Sequence, residues 1–190
     1  MIKKITTILL LSSFSFLSVF WYSAVELKAA NFLASKGVIK NNSTSPNDYR
    51  LDDTITRKEV MKIVWKLAWV NPAEGCEKKF KDVQNDWGCK YIERALSVGF
   101  ISKSEKFRPD DNITKSEAVK MILKARGIEK KYKTWNWQED YAKTVSDAWL
   151  VPTYNDYTAD ATRWWIFSLA ANDYKEFKTF QEKIISSEVK

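Results

Sequence analysis

Histidine is absent from all 190 residues of this chain. That absence removes the commonest general base, the Ser-His and Cys-His nucleophile pairs, and the usual zinc ligands. Cysteine is nearly as scarce, with two residues, and two thiolates do not complete a structural zinc site. Chemistry on Asp, Glu or Lys remains open. An exported glycosidase needs two carboxylates facing each other across a cleft, and the clearest repeated acids, Glu59 and Glu117, already read as helix caps. The chain is therefore expected to be no enzyme, with no catalytic residue, no metal and no cofactor. Charge decides less. Lys and Arg number 31 against 24 Asp and Glu, and removing residues 1–24 takes away two lysines and no acids. The remaining net +5 suits an anionic wall polymer, a lipid surface or nucleic acid, and equally suits a soluble surface. Nucleic acid is not expected, because only charge and scattered aromatics point to it.

The N-terminus reads as an export segment. Lys3 and Lys4 precede an uncharged run from Ile5 to Ala24, the pattern of a secretory signal. Tyr22-Ser23-Ala24 is a poor cleavage site, and the run matches the roughly 20 residues that span a bilayer. Residues 1–24 are thus a signal peptide or an uncleaved membrane anchor, and either one puts the rest of the chain outside the cytoplasmic membrane. Cys76 and Cys89 fit that placement as a disulfide or, alternatively, as two buried thiols. Closing so short a loop adds about 3 kcal/mol on the chain-entropy account. Such a bridge would tie the end of one unit to the first helix of the next.

The chain repeats itself. Residues 49–66 (YRLDDTITRKEVMKIVWK) and 107–124 (FRPDDNITKSEAVKMILK) share Arg50/Arg108, Asp52/Asp110, Asp53/Asp111, Ile55/Ile113, Thr56/Thr114, Glu59/Glu117, Lys62/Lys120 and Lys66/Lys124 at one constant offset. A period of this size signals a repeat architecture. In the second unit Tyr91, Ile92, Ala95 and Leu96 make one apolar helical face between about Gly88 and Val98, and Gly99 stands where a helix stops. Thr114-Lys115-Ser116-Glu117 and Thr56-Arg57-Lys58-Glu59 are capping boxes, with Thr56 and Thr114 capping and Glu59 and Glu117 reaching back. A third, degraded copy carries Trp137 and Tyr141 in the places of Trp87 and Tyr91, and Thr162-Arg163 in the place of Thr56-Arg57. In it Trp149 replaces the glycine and Trp165 replaces the capping Glu. The expectation is an all-α fold of three helix-loop-helix repeats (25–71, 80–127 and 132–178) forming one compact pseudo-three-fold domain, with a charged tail at 179–190.

These residues resemble the S-layer homology family. Its pattern runs Phe-x-Asp-Val, a Trp, a helix ending in Gly, an aromatic-x-Pro loop, then Ile-Thr-Arg-x-Glu opening a second helix. The second unit follows it through Phe80, Asp82, Val83, Trp87, Gly99, Ile101, Phe107, Pro109, Ile113, Thr114 and Glu117, with Lys115 for the arginine. The first unit matches at Gly37-Val38-Ile39 and at Ile55, Thr56, Arg57 and Glu59; the third keeps Trp137, Thr162 and Arg163. The resemblance implies a cell-surface module that holds anionic cell-wall polysaccharide non-covalently in grooves between repeats. It points to Arg57, Lys115, Arg163, Trp87, Trp137, Asp82, Gly37 and Gly99 as ligand-binding positions. The basic residues sit just inside helix starts, where backbone N–H groups and the positive dipole end favour an anion, and an indole offers a face for a sugar ring.

Each position also has a plainer role. The Thr-x-x-Glu boxes stabilise helices, the basic side chains are solvated, the tryptophans are core, and Gly37 and Gly99 are helix stops. The paired aspartates are turn residues. Asn42-Ser43-Thr44 and Asn112-Ile113-Thr114 match the weak glycosylation triplet. The alternative function keeps the fold but binds other envelope proteins, for which an exposed cluster of Trp135, Trp137, Trp149, Trp164 and Trp165 would speak.

Overall fold

A computed structural model describes residues 27–40, 46–68, 71–83, 86–148, 150 and 156–172. Residues 1–24, expected to be an export segment, the Asn42 triplet, Trp149 and the 179–190 tail lie outside these. Six α-helices occur among the described residues: α1 (27–35), α2 (Arg57–Ala68), α3 (Cys89–Ser97), α4 (Lys115–Ala125), α5 (Trp137–Asp147) and α6 (163–172). They form three successive pairs, each with a loop between its helices. No strand occurs among the described residues, only isolated bridges, and no described helix is long and apolar enough to cross a membrane. The chain is all-α.

The helix starts follow the sequence closely. Thr114 is extended at φ −74° and ψ 156°; its hydroxyl accepts from Glu117 N while Glu117 Oε2 accepts from Thr114 N at 3.1 Å, the reciprocal box. Thr56 and Glu59 exchange the same two bonds. In α5 the cap is Asn136, whose side chain accepts from Gln138 N and Glu139 N. The first helix of each pair ends alike. Val38 N donates to Leu33 O, Phe100 N to Ala95 O and Leu150 N to Val145 O, the six-to-one bond of a Schellman stop. Gly37 and Gly99 supply the left-handed residue at φ 68° and 79°, a conformation that strains side chains with a Cβ.

The three helix pairs meet through the residues just before α2, α4 and α6. Ile55 N donates to Ala161 O, Ala161 N to Ile113 O, and Ile113 N to Ile55 O, a closed ring of three bonds at 2.8–3.1 Å. Around that ring each second helix begins by donating to the next pair's loop: Arg57 and Lys58 N to Asp111 and Pro109 O, Lys115 and Ser116 N to Ala159 and Tyr157 O, Arg163 and Trp164 N to Asp53 and Leu51 O. Orphan donors of each helix start are thereby satisfied by a neighbouring loop. The side chains of Ile55, Ile113 and Ala161 are fully buried beneath, in one cluster with Trp65, Phe80, Leu123 and Phe167. α2 packs on α3 and α4, and α4 on α5. Cys76 and Cys89 are joined as a disulfide with Cα atoms 5.7 Å apart. The loop it closes is held by Glu93, buried, which accepts from Lys79 N at 2.6 Å and from Glu77 N.

Candidate functional site

Between the first two helix pairs and the start of α5 lies an open groove of roughly 370 Å³. Its cationic lining is Arg57, Lys106, Arg108, Lys120 and Lys124; its single carboxylate is Glu117; Phe100, Phe107 and Trp137 supply apolar faces, and Ser102 and Ser104 hydroxyls. Among the described residues, five cations against one acid leave an excess of positive charge in a concave place, an arrangement that favours anions.

Arg57 reaches across the junction. Its Nε donates to Phe107 O at 2.9 Å, its guanidinium lies 4.9 Å from the Phe107 ring centre, and Nη1 stands 2.9 Å from Glu117 Oε1. The last contact is an ion pair and not an aligned hydrogen bond, because Nη1 has no bond of good geometry. Burial pulls the Arg57 pKa down and the Glu117 charge opposes it, with the net direction downward. Arg108 Nη2 shares the same Glu117 oxygen at 3.4 Å. Arg108 sits at φ 62°, an uncommon region for a side-chain-bearing residue, and Asp82 holds it there by accepting from Phe107 N at 2.9 Å and Arg108 N at 2.7 Å. Burial raises the Asp82 pKa, but these backbone donors outweigh it and hold the carboxyl below its ordinary value. Asp82 therefore positions the groove wall and does not line it.

Lys120 lies 4.4 Å from the ring centre of Trp137, a cation–π contact. Burial, then the neighbouring charge of Lys124, lowers its pKa, with Glu117 opposing and Lys130 adding to the effect. Trp137 is 36% exposed and meets Tyr141 edge-on at 6.3 Å and 75°. Trp87 and Tyr91 repeat that geometry at the same distance and angle.

The arrangement recurs between the third and first pairs. Arg163 Nε donates to Tyr49 O at 3.0 Å, as Arg57 Nε does to Phe107 O, and Nη1 donates to Glu59 Oε1 at 3.1 Å where Arg57 makes an ion pair with Glu117. Lys62 lies 5.4 Å over Trp87, which is 48% exposed. Between the second and third pairs the pattern changes. Lys115 faces a small apolar space with Val119, Val145, Tyr157 and Trp165. Trp165 is 3% exposed, and its Nε1 is buried with no hydrogen-bond partner among the described residues. Asp156, at φ 58°, occupies the loop place that Arg50 and Arg108 hold at φ 53° and 62°.

Of the positions singled out from sequence, Arg57 and Trp137 line the groove. Asp82 supports it, Arg163 and Trp87 belong to the recurrence, and Lys115 lies at the altered junction. Gly37 and Gly99 end helices, and an added Cβ would meet nothing within 4 Å at either, so neither is a close-approach position. The backbone donors that begin α2, α4 and α6 are engaged with loop carbonyls, so attraction for an anion comes from side chains. Asp53, Asp110 and Asp111 pair with Arg50, Lys58 and Arg108. Asn112 donates to Asp160 at 2.9 Å. Sequence reasoning passed over Lys106, Arg108, Lys120 and Lys124 as site residues. The signal for three of them was the identity of Arg50/Arg108, Lys62/Lys120 and Lys66/Lys124, polar positions that a core does not require.

Residues 79–119 match the family model described as the S-layer homology domain. The likeness to that family is confined to these residues, about a fifth of the chain. The matched stretch runs from before Phe80 to the second turn of α4, and so includes Phe107, Arg108 and Glu117 of the groove lining together with Asp82, which positions them. Similar proteins include an exoglucanase, XynX, of Acetivibrio thermocellus, 31% identical over 106 residues, which are 55% of this chain and 10% of that protein. A cellulosome-anchoring protein of the same organism is 31% identical over 77 residues, 37% of this chain and 17% of the relative. An amylopullulanase of Thermoanaerobacterium thermosulfurigenes is 29% identical over 106 residues, 55% of this chain and 6% of the enzyme. The matched stretch thus spans less than a fifth of the length of each of these relatives.

Proposed function

We propose that this chain is an exported, non-catalytic module that anchors non-covalently to anionic cell-wall polysaccharide through grooves between its S-layer homology repeats. The observation that carries the reading is the groove itself: Arg57, Lys106, Arg108, Lys120 and Lys124 surround one carboxylate beside the exposed face of Trp137. Carboxylate or phosphate groups of a polymer would lie against Arg57 and Arg108, and a sugar ring would pack on the indole. Arg163, Lys62 and Trp87 provide a second groove of the same kind in a pseudo-three-fold domain of repeats 25–71, 80–127 and 132–178. Several modest sites on one frame raise affinity through effective concentration. The cellulosome-anchoring relative supports attachment at the cell surface, and the two enzyme relatives share only a tenth or less of their length with this chain. Residues 1–24 act as export signal or membrane anchor.

Binding of other envelope proteins is the weaker reading. Trp165 is buried and Trp164 half-buried, and the exposed indole of Trp137 lines the groove. The test is co-sedimentation of the chain with purified wall sacculi of the producing organism, before and after acid stripping of their polymer. Binding lost on stripping, and in Arg57→Ala and Lys120→Ala, is the expected result. Undiminished binding to stripped sacculi would rule the polymer out.

A further inference from the structure

Trp135 is 95% exposed, whereas indoles are on average well buried. Its local setting explains why it stays out. Trp135 directly precedes Asn136, the cap of α5, a place where an apolar side chain ordinarily staples onto the fourth helical residue. Here that residue is Asp140, buried, with its carboxylate bonded to Lys130 Nζ at 2.6 Å and to Thr134 Oγ1 at 2.7 Å. The staple partner is therefore a charge, and the ring has no intramolecular place to go. Its backbone is nonetheless fixed on both flanks. Thr134 N donates to both Asp140 oxygens at 3.0 and 3.1 Å, and Asn136 accepts two helix N–H groups while donating to Tyr157 OH at 3.1 Å. Two residues on, Trp137 lines the groove, and Cα atoms two apart lie within about 7 Å.

We infer that Trp135 is a second stacking platform, just outside the groove, for a further sugar of the same anionic chain. The inference rests on the groove reading above and extends it from a site for one charged unit to a site for a run of linked sugars. The surroundings favour a glycan over a membrane. Lys131 and Lys133 beside it are interleaved with Asp147 and Glu129, and Trp137 is the neighbouring exposed ring, so the patch suits single rings more than a lipid surface.

The test uses the full-length chain and the polymer released from the producing organism's sacculi by mild acid, fractionated by chain length, in titration calorimetry. Trp135→Ala is expected to weaken the longer fractions by about 3- to 10-fold, as loss of one ring contact does, and to leave the shortest unchanged. Trp135→Phe should keep most of the affinity, and Lys120→Ala should weaken every fraction. Unchanged binding of Trp135→Ala at all lengths, with Lys120→Ala impaired, overturns the platform and leaves the groove standing. Unchanged binding in both Lys120→Ala and Arg57→Ala overturns the groove, and the platform with it. Retention on phosphatidylglycerol vesicles that is lost in Trp135→Ala, with glycan binding intact, overturns the platform in favour of membrane contact.

Discussion

Glu117 has opposing duties, and changing it to Gln separates them. Its Oε2 completes the cap of α4 by accepting from Thr114 N and Oγ1 at 3.1 and 3.2 Å. Its Oε1 neutralises Arg57 and Arg108 at 2.9 and 3.4 Å. Glutamine keeps an acceptor for the cap and removes the charge. The Arg57 side chain is 11% exposed, so its unpaired charge destabilises, but Phe107 O and the Phe107 ring still hold it. The expected loss is about 1–2 kcal/mol, or a fall of about 2–8 °C in Tm. Affinity for anionic polymer moves the other way. Removing one negative charge about 6 Å from a bound anion is worth ~0.7 kcal/mol at water-like dielectric and twice that at half the dielectric. That predicts binding about 3- to 10-fold tighter. Salt should shrink the gain, since the screening length falls to about 8 Å at physiological ionic strength. Thermal unfolding and polymer titration at two salt concentrations check both directions. A folded Glu117→Gln chain that binds the polymer more weakly at low salt would refute the argument that the groove works by excess cationic charge.

Lys115→Arg should lower stability by about 1 kcal/mol in urea unfolding, because the guanidinium finds no carboxylate at buried Trp165 beside its apolar space. Arg163→Lys should cost about 1–2 kcal/mol by releasing both Tyr49 O and Glu59. Reducing the Cys76–Cys89 bridge should lower stability by about 3 kcal/mol, seen in calorimetry with and without a phosphine reductant; an unchanged transition would show that the Glu93 contacts alone hold the 71–83 segment. Acid should unfold the chain through Asp82 and Asp140. Burial raises both carboxyls, but backbone donors at Asp82, and Lys130 with Thr134 at Asp140, hold each below the ordinary value. A group whose folded pKa is lowered contributes stability that is complete above its unfolded value of about 3.9 and is lost as pH falls through the folded value. The urea midpoint should therefore drop below about pH 4, with a shallower drop in Asp82→Asn.

The helices were legible because their signals are local. Thr114 and Glu117 are three residues apart and make the box that their types predict, and Gly99 stops α3 as a left-handed residue. The ring at Ile55, Ile113 and Ala161 was not legible, since its bonds join residues far apart in sequence and any backbone can make them. The same distance hid the tie between Arg57 and Glu117. Read along the chain, each belongs to its own helix start; only the cyclic packing sets the arginine of one unit against the capping acid of the next. The groove lysines were visible as repeated positions, but a repeated polar residue acquires a role only when packing shows which way it faces.

That tie also accounts for the changes in the third unit as a set. At two junctions an arginine (Arg57 or Arg163) meets a capping glutamate (Glu117 or Glu59) and a loop carbonyl (Phe107 O or Tyr49 O). At the remaining junction the acid is gone, and buried Trp165 takes its place. An arginine at 115 would there lose its carboxylate, and a charge left without a partner near an apolar space is costly; lysine, longer in its aliphatic stem and able to reach water, is tolerated. Asp156 in place of the left-handed arginine then removes a cation that would have had no acid to share. One difference, Trp165 where the other units carry a glutamate, makes the other two physically consistent. It follows that the Arg–Glu pair is first an inter-unit bond. On the proposed reading, an anion would be held by the cations around it, Arg108, Lys120 and Lys124, whose charge Glu117 does not cancel in full.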